Sequence, residues 1–174
     1  MRPGPERYIV ALGSNMRHRR HGHPRAVVLA ALRALDGERL SVVAAAPPIR
    51  SAPLGPSRRQ FANSAALIET RLGPMQVLER MQAIERDFGR RRSGRRWGAR
   101  VLDLDLILWS GGRWRSPRLT LPHPQFRSRA FVLGPAARLA PCWRDPLTGL
   151  TLAQLAARLT RRRPNPTARP WSGP

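Results

Sequence analysis

Lysine is absent from this chain of 174 residues, so all 32 basic side chains are arginine, and only ten acidic residues stand against them. A net charge of +22 favours a polyanionic partner: nucleic acid, an anionic surface or a nucleotide. Arginine adds a planar fork suited to phosphate. The same excess can follow from GC-rich coding, so charge alone does not choose among these. Cysteine is nearly absent too. The single Cys142 cannot close an internal disulfide, and an oxidising compartment is not required. No apolar run approaches membrane-spanning length, and the first fifteen residues are too poor in apolar side chains for a signal peptide. A soluble cytoplasmic protein is the expectation. What is present is enough for a core, with 41% of residues apolar. One domain is expected over residues 1–160, followed by a disordered Pro- and Arg-rich tail, 161–174.

The punctuation of the chain gives a coarse order of elements. Residues 8–12 read as a short buried strand ended by a turn at Gly13-Ser14-Asn15, which lacks the Gly-Lys-Ser/Thr of a phosphate-binding loop. Residues 17–23, with His18, His21 and His23, read as a solvated loop; Arg19 and Arg20 between the histidines oppose a metal. Val28, Leu29, Leu32 and Leu35 recur at helical spacing. A strand after Leu40 breaks at Pro47-Pro48 into a loop. Residues 60–70 are strand-like. A helix runs over 73–89, with Pro74 near its start, Gly89 at its end, and an apolar face of Met75, Val77, Leu78, Met81, Ile84 and Phe88. A basic loop, 90–100, precedes a strand over 101–109, and Ser110-Gly111-Gly112-Arg113 reads as a hairpin turn. The chain then runs extended, loops, turns helical near Ser128 and ends in an amphipathic helix at 150–159. Strands and helices in this order imply an α+β layer of helices on a mainly antiparallel sheet.

Two of the ten acids stand one residue apart in an apolar strand, Asp103 and Asp105. Strand side chains alternate, so the pair shares one face, about 7 Å apart at Cα, while Leu102, Leu104, Leu106 and Leu108 are expected on the other. Paired carboxylates repel and resist dehydration, so positive charge must hold them. Arg90, Arg91, Arg92, Arg95, Arg96 and Arg100 lie just upstream. Carboxylates bracketed by arginine suit magnesium phosphates, because hard Mg2+ takes oxygen ligands and two carboxylates can bridge two ions. A surface pair neutralised by arginine is the plainer alternative.

Five segments, in this order, resemble the 6-hydroxymethyl-7,8-dihydropterin pyrophosphokinase family: ALGSN (11–15), APLGP (52–56), FANSAALIET (61–70), ERDFGRRRSGRRWGARVLDLDLIL (85–108) and LTLPHPQFRSRAFVL (119–133). The resemblance covers about residues 8–145. It implies a ferredoxin-like fold and transfer of pyrophosphate from ATP to the pterin hydroxymethyl group, in folate biosynthesis. By position it implies Arg90, Arg100, Asp103 and Asp105 as the catalytic set, with two Mg2+ ions on Asp103 and Asp105. ATP would be held by Gln82, Arg90, Arg92, Trp97, Arg100, Leu106, Arg118, Thr120, His123 and Arg129. The pterin would be held by Asn63, by the backbone of Ser51, Pro53 and Leu54, between the rings of Phe61 and Phe131, and under Trp97. The loop 89–100 would act as a lid. Phe61, Ser51, Ser93 and Pro124 replace residues found in some relatives, and none of the four touches the metal pair.

Two other function classes compete. An RNA-binding sheet would fit the charge, although no aromatic pair of RNA-recognition type is evident and two Asp on one strand face oppose a phosphate backbone. A non-catalytic pterin binder is opposed by the intact Asp103, Asp105, Arg90 and Arg100. A monomer acting on small molecules, with neither nucleic acid nor membrane as partner, is the expectation.

Overall fold

The computed structural model describes residues 4–51, 61–89 and 101–161. Its central sheet is built from β1 (Glu6–Ser14), β2 (Ser41–Ala45), β3 (Ile49–Ser51), β4 (Phe61–Thr70) and β5 (Asp103–Trp109). The order is β2-β4-β1-β5, every pairing is antiparallel, and β3 joins β4 beyond β2. Helix α1 (Pro24–Leu35) connects β1 to β2, and α2 (Pro74–Asp87) connects β4 to β5. This is the ferredoxin-like arrangement, in which each helical crossover returns to the same face. A two-stranded ribbon of β6 (Trp114–Ser116) and β7 (Leu119–Leu121) follows, then a 3-10 turn (Phe126–Ser128), α3 (Ala130–Leu139) and α4 (Leu152–Arg161).

Alternation along β1 divides the interior into two cores. Tyr8, Val10 and Leu12 face α1 and α2, where Val27, Val28, Ala31, Leu35, Val77 and Met81 are buried. Ile9 and Ala11 face the other way, against Phe126, Leu133, Ala136, Leu152 and Leu155 of the 3-10 turn, α3 and α4. Both faces of the sheet are therefore covered by helix. Local signals start the helices as expected. Pro24 and Pro74 open α1 and α2. The His23 ring accepts the Ala26 N–H at 3.3 Å as an N-cap.

Several expectations need correction. The strand β1 does not stop at Leu12; Gly13 and Ser14 stay in the ladder, paired with Asn63 and Ala62. After the Pro47-Pro48 break the chain re-enters the sheet as β3, because proline interrupts the ladder only where its own N–H is missing. Residues 110–113 do turn, with Gly112 N–H donating to the Trp109 carbonyl at 3.0 Å, but they make no hairpin: β6 leaves the sheet and pairs with β7. A Cβ at Gly111 would meet the Trp109 ring at 2.3 Å, so only glycine fits there. Leu29 is exposed on α1. Leu108 belongs to the second core and not to the first. A bulge between the Ile9 and Val10 pairings inserts Ile107 into β5 and reverses the phase of everything after it. The histidine loop is not simply solvated either. His18 and His21 stack at 4.7 Å between centroids, and His21 stacks on buried Phe88 at 4.8 Å.

The loop between α3 and α4 carries a fully buried acid, Asp145. Arg127 grips it with two hydrogen bonds, Nε at 2.8 Å and Nη2 at 2.5 Å; Thr148 Oγ1 donates at 2.6 Å and the Leu147 N–H at 3.2 Å. Burial pushes the carboxyl up, but these bonds and the Arg127 charge outweigh it, and the net shift is downward from 3.8. A depressed pKa stabilises the fold above pH 3.8, and that contribution is lost as pH falls below it. Asp145→Ala should cost about 2–3 kcal/mol, since it leaves the part-buried Arg127 guanidinium, the Thr148 hydroxyl and the Leu147 N–H without their acceptor. A urea titration at neutral pH checks the value; a loss under about 1 kcal/mol would count against the pair.

Candidate active site

The cross-strand register assembles the candidate site on the sheet face that carries the second core. Gly13 pairs with Asn63 on one side and Asp103 on the other, and Ala11 pairs with Ala65 and Asp105. Side chains directly opposite share a face. Asn63, Gly13 and Asp103 therefore form one row across three strands, with Ala65, Ala11 and Asp105 in the row below. The central strand contributes only small residues, Gly13 and Ala11, between the amide and the carboxylates. A Cβ on Gly13 would lie 3.2 Å from Asn63 Oδ1.

Asn63 is 5% exposed, and its Nδ2 donates to the Ser51 hydroxyl at 2.7 Å. Phe61 sits one pair beyond, opposite Ser51. Phe131 packs at the edge of the second core from α3. Asp103 and Asp105 are half-buried, as alternation predicts. Between them the Leu104 N–H donates to Glu85 Oε1 of α2 at 2.8 Å. Glu85 is 4% exposed, so a helix from the opposite face fixes the backbone from which both aspartates project.

Further along, the chain crosses the outer edge of β5. The His123 N–H donates to the Ile107 carbonyl at 2.9 Å, and His123 Nδ1 accepts the Gln125 N–H at 3.2 Å. The neutral ring thus carries its proton on Nε2. Burial lowers the His123 pKa below 6.5; Asp105 and Asp103 oppose that and Arg129 adds to it. An NMR titration of the metal-free protein should place the His123 midpoint below 6.5. A midpoint above that would mean the carboxylates dominate. The Arg129 guanidinium is held by the Gln125 side chain. At the ribbon, Arg118 donates to Gln82 Oε1 at 3.3 Å and pairs loosely with Glu79 at 3.6 Å, while Thr120 is exposed. Leu106 is 2% exposed in the first core, so only its backbone is offered to a ligand.

The structure thus brings Ser51, Phe61, Asn63, Asp103 and Asp105 to one end of the sheet and sets His123 and Arg129 beside β5, within electrostatic reach of the aspartates. Gln82, Arg118 and Thr120 form a separate group at the ribbon. Pro53, Leu54, Arg90, Arg92, Trp97 and Arg100, with most of the expected lid, lie outside the described residues. Among the described residues no group of three or more His, Cys, Asp or Glu side chains gathers for a metal. No helix among them is long and apolar enough to cross a membrane. Sequence reasoning missed Gly13, whose neighbours disguise it as a turn, and Glu85. Glu85 does have a signal: it is a charge on the apolar stripe of α2, four residues from Met81 and three from Phe88.

Known proteins share both the sequence and the fold. The family model of 7,8-dihydro-6-hydroxymethylpterin-pyrophosphokinase matches residues 9–141. A 2-amino-4-hydroxy-6-hydroxymethyldihydropteridine pyrophosphokinase of Pseudomonas aeruginosa is 44% identical over 156 residues, 87% of this chain and 91% of that protein. The one from Synechocystis is 43% identical over 106 residues, 61% of this chain and 54% of its own length. In structure, a Plasmodium falciparum HPPK-DHPS chain superposes with a TM-score of 0.69 at 11% identity, over 91% of this chain and 46% of that one. The last comparison speaks to the fold alone. With fold and site in place, the class is that of the pyrophosphokinases. The chain belongs to the 7,8-dihydro-6-hydroxymethylpterin-pyrophosphokinase family.

Proposed function

We propose that the protein transfers the pyrophosphoryl group of ATP to the hydroxymethyl oxygen of 6-hydroxymethyl-7,8-dihydropterin, releasing AMP and the pterin diphosphate, as a cytoplasmic, monomeric enzyme of folate biosynthesis. The observation that carries this is the row Asn63–Gly13–Asp103. Two strand spacings, about 10 Å, separate a buried amide from a carboxylate, with only Gly13, which has no side chain, between them in that row. A two-ring heterocycle can lie across that row with its one-carbon arm reaching the aspartates. Asn63 then pairs the donors and acceptors of the pterin edge, its amide aimed by Ser51, with Pro53 and Leu54 in support. Phe61 and Phe131 stack on the ring faces, and Trp97 closes over it.

The reaction asks for alignment and charge neutralisation more than for covalent work by the protein. The pterin hydroxyl oxygen attacks the β-phosphorus and gives up its proton to solvent, the bond from that phosphorus to the α–β bridging oxygen breaks, and AMP leaves with that oxygen. Two oxygen-donor carboxylates on a rigid strand fit Mg2+, which usually keeps one or two protein carboxylates and fills the remainder with phosphate and water. Two Mg2+ ions held by Asp103 and Asp105 would neutralise phosphate oxygens on both sides of the transfer. Arg90, Arg92 and Arg100 take the remaining phosphate charge. His123 offers an Nε2–H donor while it stays neutral, and Arg129 adds charge beside it. Gln82, Arg118, Thr120 and the Leu106 backbone receive the rest of ATP. An RNA platform would require an open sheet face, whereas here helices pack on both.

Incubation with ATP, Mg2+ and 6-hydroxymethyl-7,8-dihydropterin should yield AMP only when pterin is present. ADP as the product, or AMP at the same rate without pterin, would overturn the reading.

A further inference from the structure

We infer that Arg127 and Asp145 are positioning residues for nucleotide binding, locking the 3-10 turn that carries His123 at its entrance and Arg129 at its exit. The inference rests on the assignment of His123 and Arg129 to ATP. The turn itself has few other fixings. Its one core anchor is Phe126, fully buried. Among the described residues its backbone bonds are all local: Phe126 N–H to the His123 carbonyl, and Ser128 and Arg129 N–H to the Gln125 and Phe126 carbonyls, each at 3.3 Å, while the Arg129 carbonyl accepts the Val132 and Leu133 N–H of α3 at 3.0 and 2.9 Å. Arg127 supplies the long-range tie. Its guanidinium lies 4.6 Å over the Phe126 ring and forks onto Asp145, 18 residues further along the chain.

The direction of dependence can be read from the bonds. The Asp145 loop closes on itself without Arg127. Asp145 N–H donates to the Leu150 carbonyl at 2.9 Å, Gly149 N–H to the Asp145 carbonyl at 2.8 Å, and Leu152 N–H to the Trp143 carbonyl at 2.9 Å. Thr148 and Leu147 hold the carboxylate in place. The loop is a fixed post, and the turn is what gains from being tied to it. An ion pair whose carboxylate is fully buried and whose arginine is mostly so often adds little net stability over apolar side chains of the same volume, but it fixes geometry, because a bidentate fork has one arrangement. The geometry fixed here is that of the residues on either side of Arg127. His123 must aim Nε2 while its backbone stays on Ile107, and Arg129 must sit beside it.

The test replaces the pair by apolar residues, Arg127→Met with Asp145→Leu, and compares it with Arg127→Lys, which keeps the charge and loses the fork. In the double variant the melting temperature should stay within a few degrees of wild type, while KM for ATP rises roughly tenfold to a hundredfold and KM for the pterin stays unchanged. Arg127→Lys should show an intermediate rise confined to ATP. A purely structural role would move both substrates together, or neither. A folded double variant with unchanged KM for ATP overturns the inference, as does an equal loss toward ATP and pterin. If the double variant does not fold, Arg127→Lys decides alone by the same split. A wild-type protein that makes no pterin-dependent AMP would overturn the functional reading and this inference with it, whereas an active wild type with indifferent variants overturns the inference only.

Discussion

Replacing Asp103 or Asp105 by alanine should lower pterin-dependent AMP formation by about a thousandfold while the protein melts at nearly the same temperature. The two halves of that expectation have separate causes. Both carboxylates stand half-buried on the site side of β5, and the core contacts of that stretch are made by Leu104 and Leu106 on the other side. Shortening the aspartates leaves those contacts and the Glu85 bond to the Leu104 backbone in place. What is lost is the negative charge that would bring Mg2+ to the phosphates, and with it the alignment of a reaction in which the protein itself contributes little bonding. Calorimetric titration with magnesium and a non-hydrolysable ATP analogue should show weaker binding for both variants. Turnover near wild type in either would remove the metal assignment.

Gly13→Val should be nearly as damaging by a different route. The backbone tolerates it, since Gly13 is in a central strand with no positive φ, and valine is a good strand former. The row does not tolerate it. Even a methyl carbon would sit 3.2 Å from Asn63 Oδ1, and valine adds two more carbons into the space above Gly13. Asn63 must then leave its bond to Ser51, or the ligand must ride higher. Affinity for the pterin should fall about a hundredfold, with Gly13→Ala in between, and ATP binding should change far less. Fluorescence titration of the pterin against each variant measures this directly. A Gly13→Val protein that binds pterin normally would mean the ring lies elsewhere.

The carboxylate pair and its shared face were legible because alternation along a strand is a strictly local rule, and 101–109 is apolar enough to declare itself. The ends of α2 were legible for a similar reason, with Pro74 and Gly89 marking them. Several of the failures involve a partner distant in sequence. Gly-Ser-Asn has the composition of a turn, yet β4 and β5 pair with Gly13 from both sides and hold it extended, so tertiary context overrides propensity. The bulge that reverses Leu108 is one extra residue opposite β1, and nothing in the β5 sequence marks it. His18 and His21 read as solvated because their support, Phe88, comes from the far end of α2. Asp145 draws no reading from the sequence, because Arg127, the partner that gives it a role, stands 18 residues away.

The bulge in β5 also sets what kind of genetic change this gene can absorb. Up to Leu106 the strand keeps one phase, aspartates toward the site and leucines toward the first core; after it, Ile107 and Leu108 both serve the second core. Substitutions on one side of that break can drift without disturbing the other. An in-frame deletion of one codon between Asp103 and Leu106 is another matter. The slip would turn the carboxylates into the leucine layer and the leucines out to the site. Lineages should therefore vary in side-chain size along this strand while its codon count stays fixed, even as loops elsewhere lengthen and shorten.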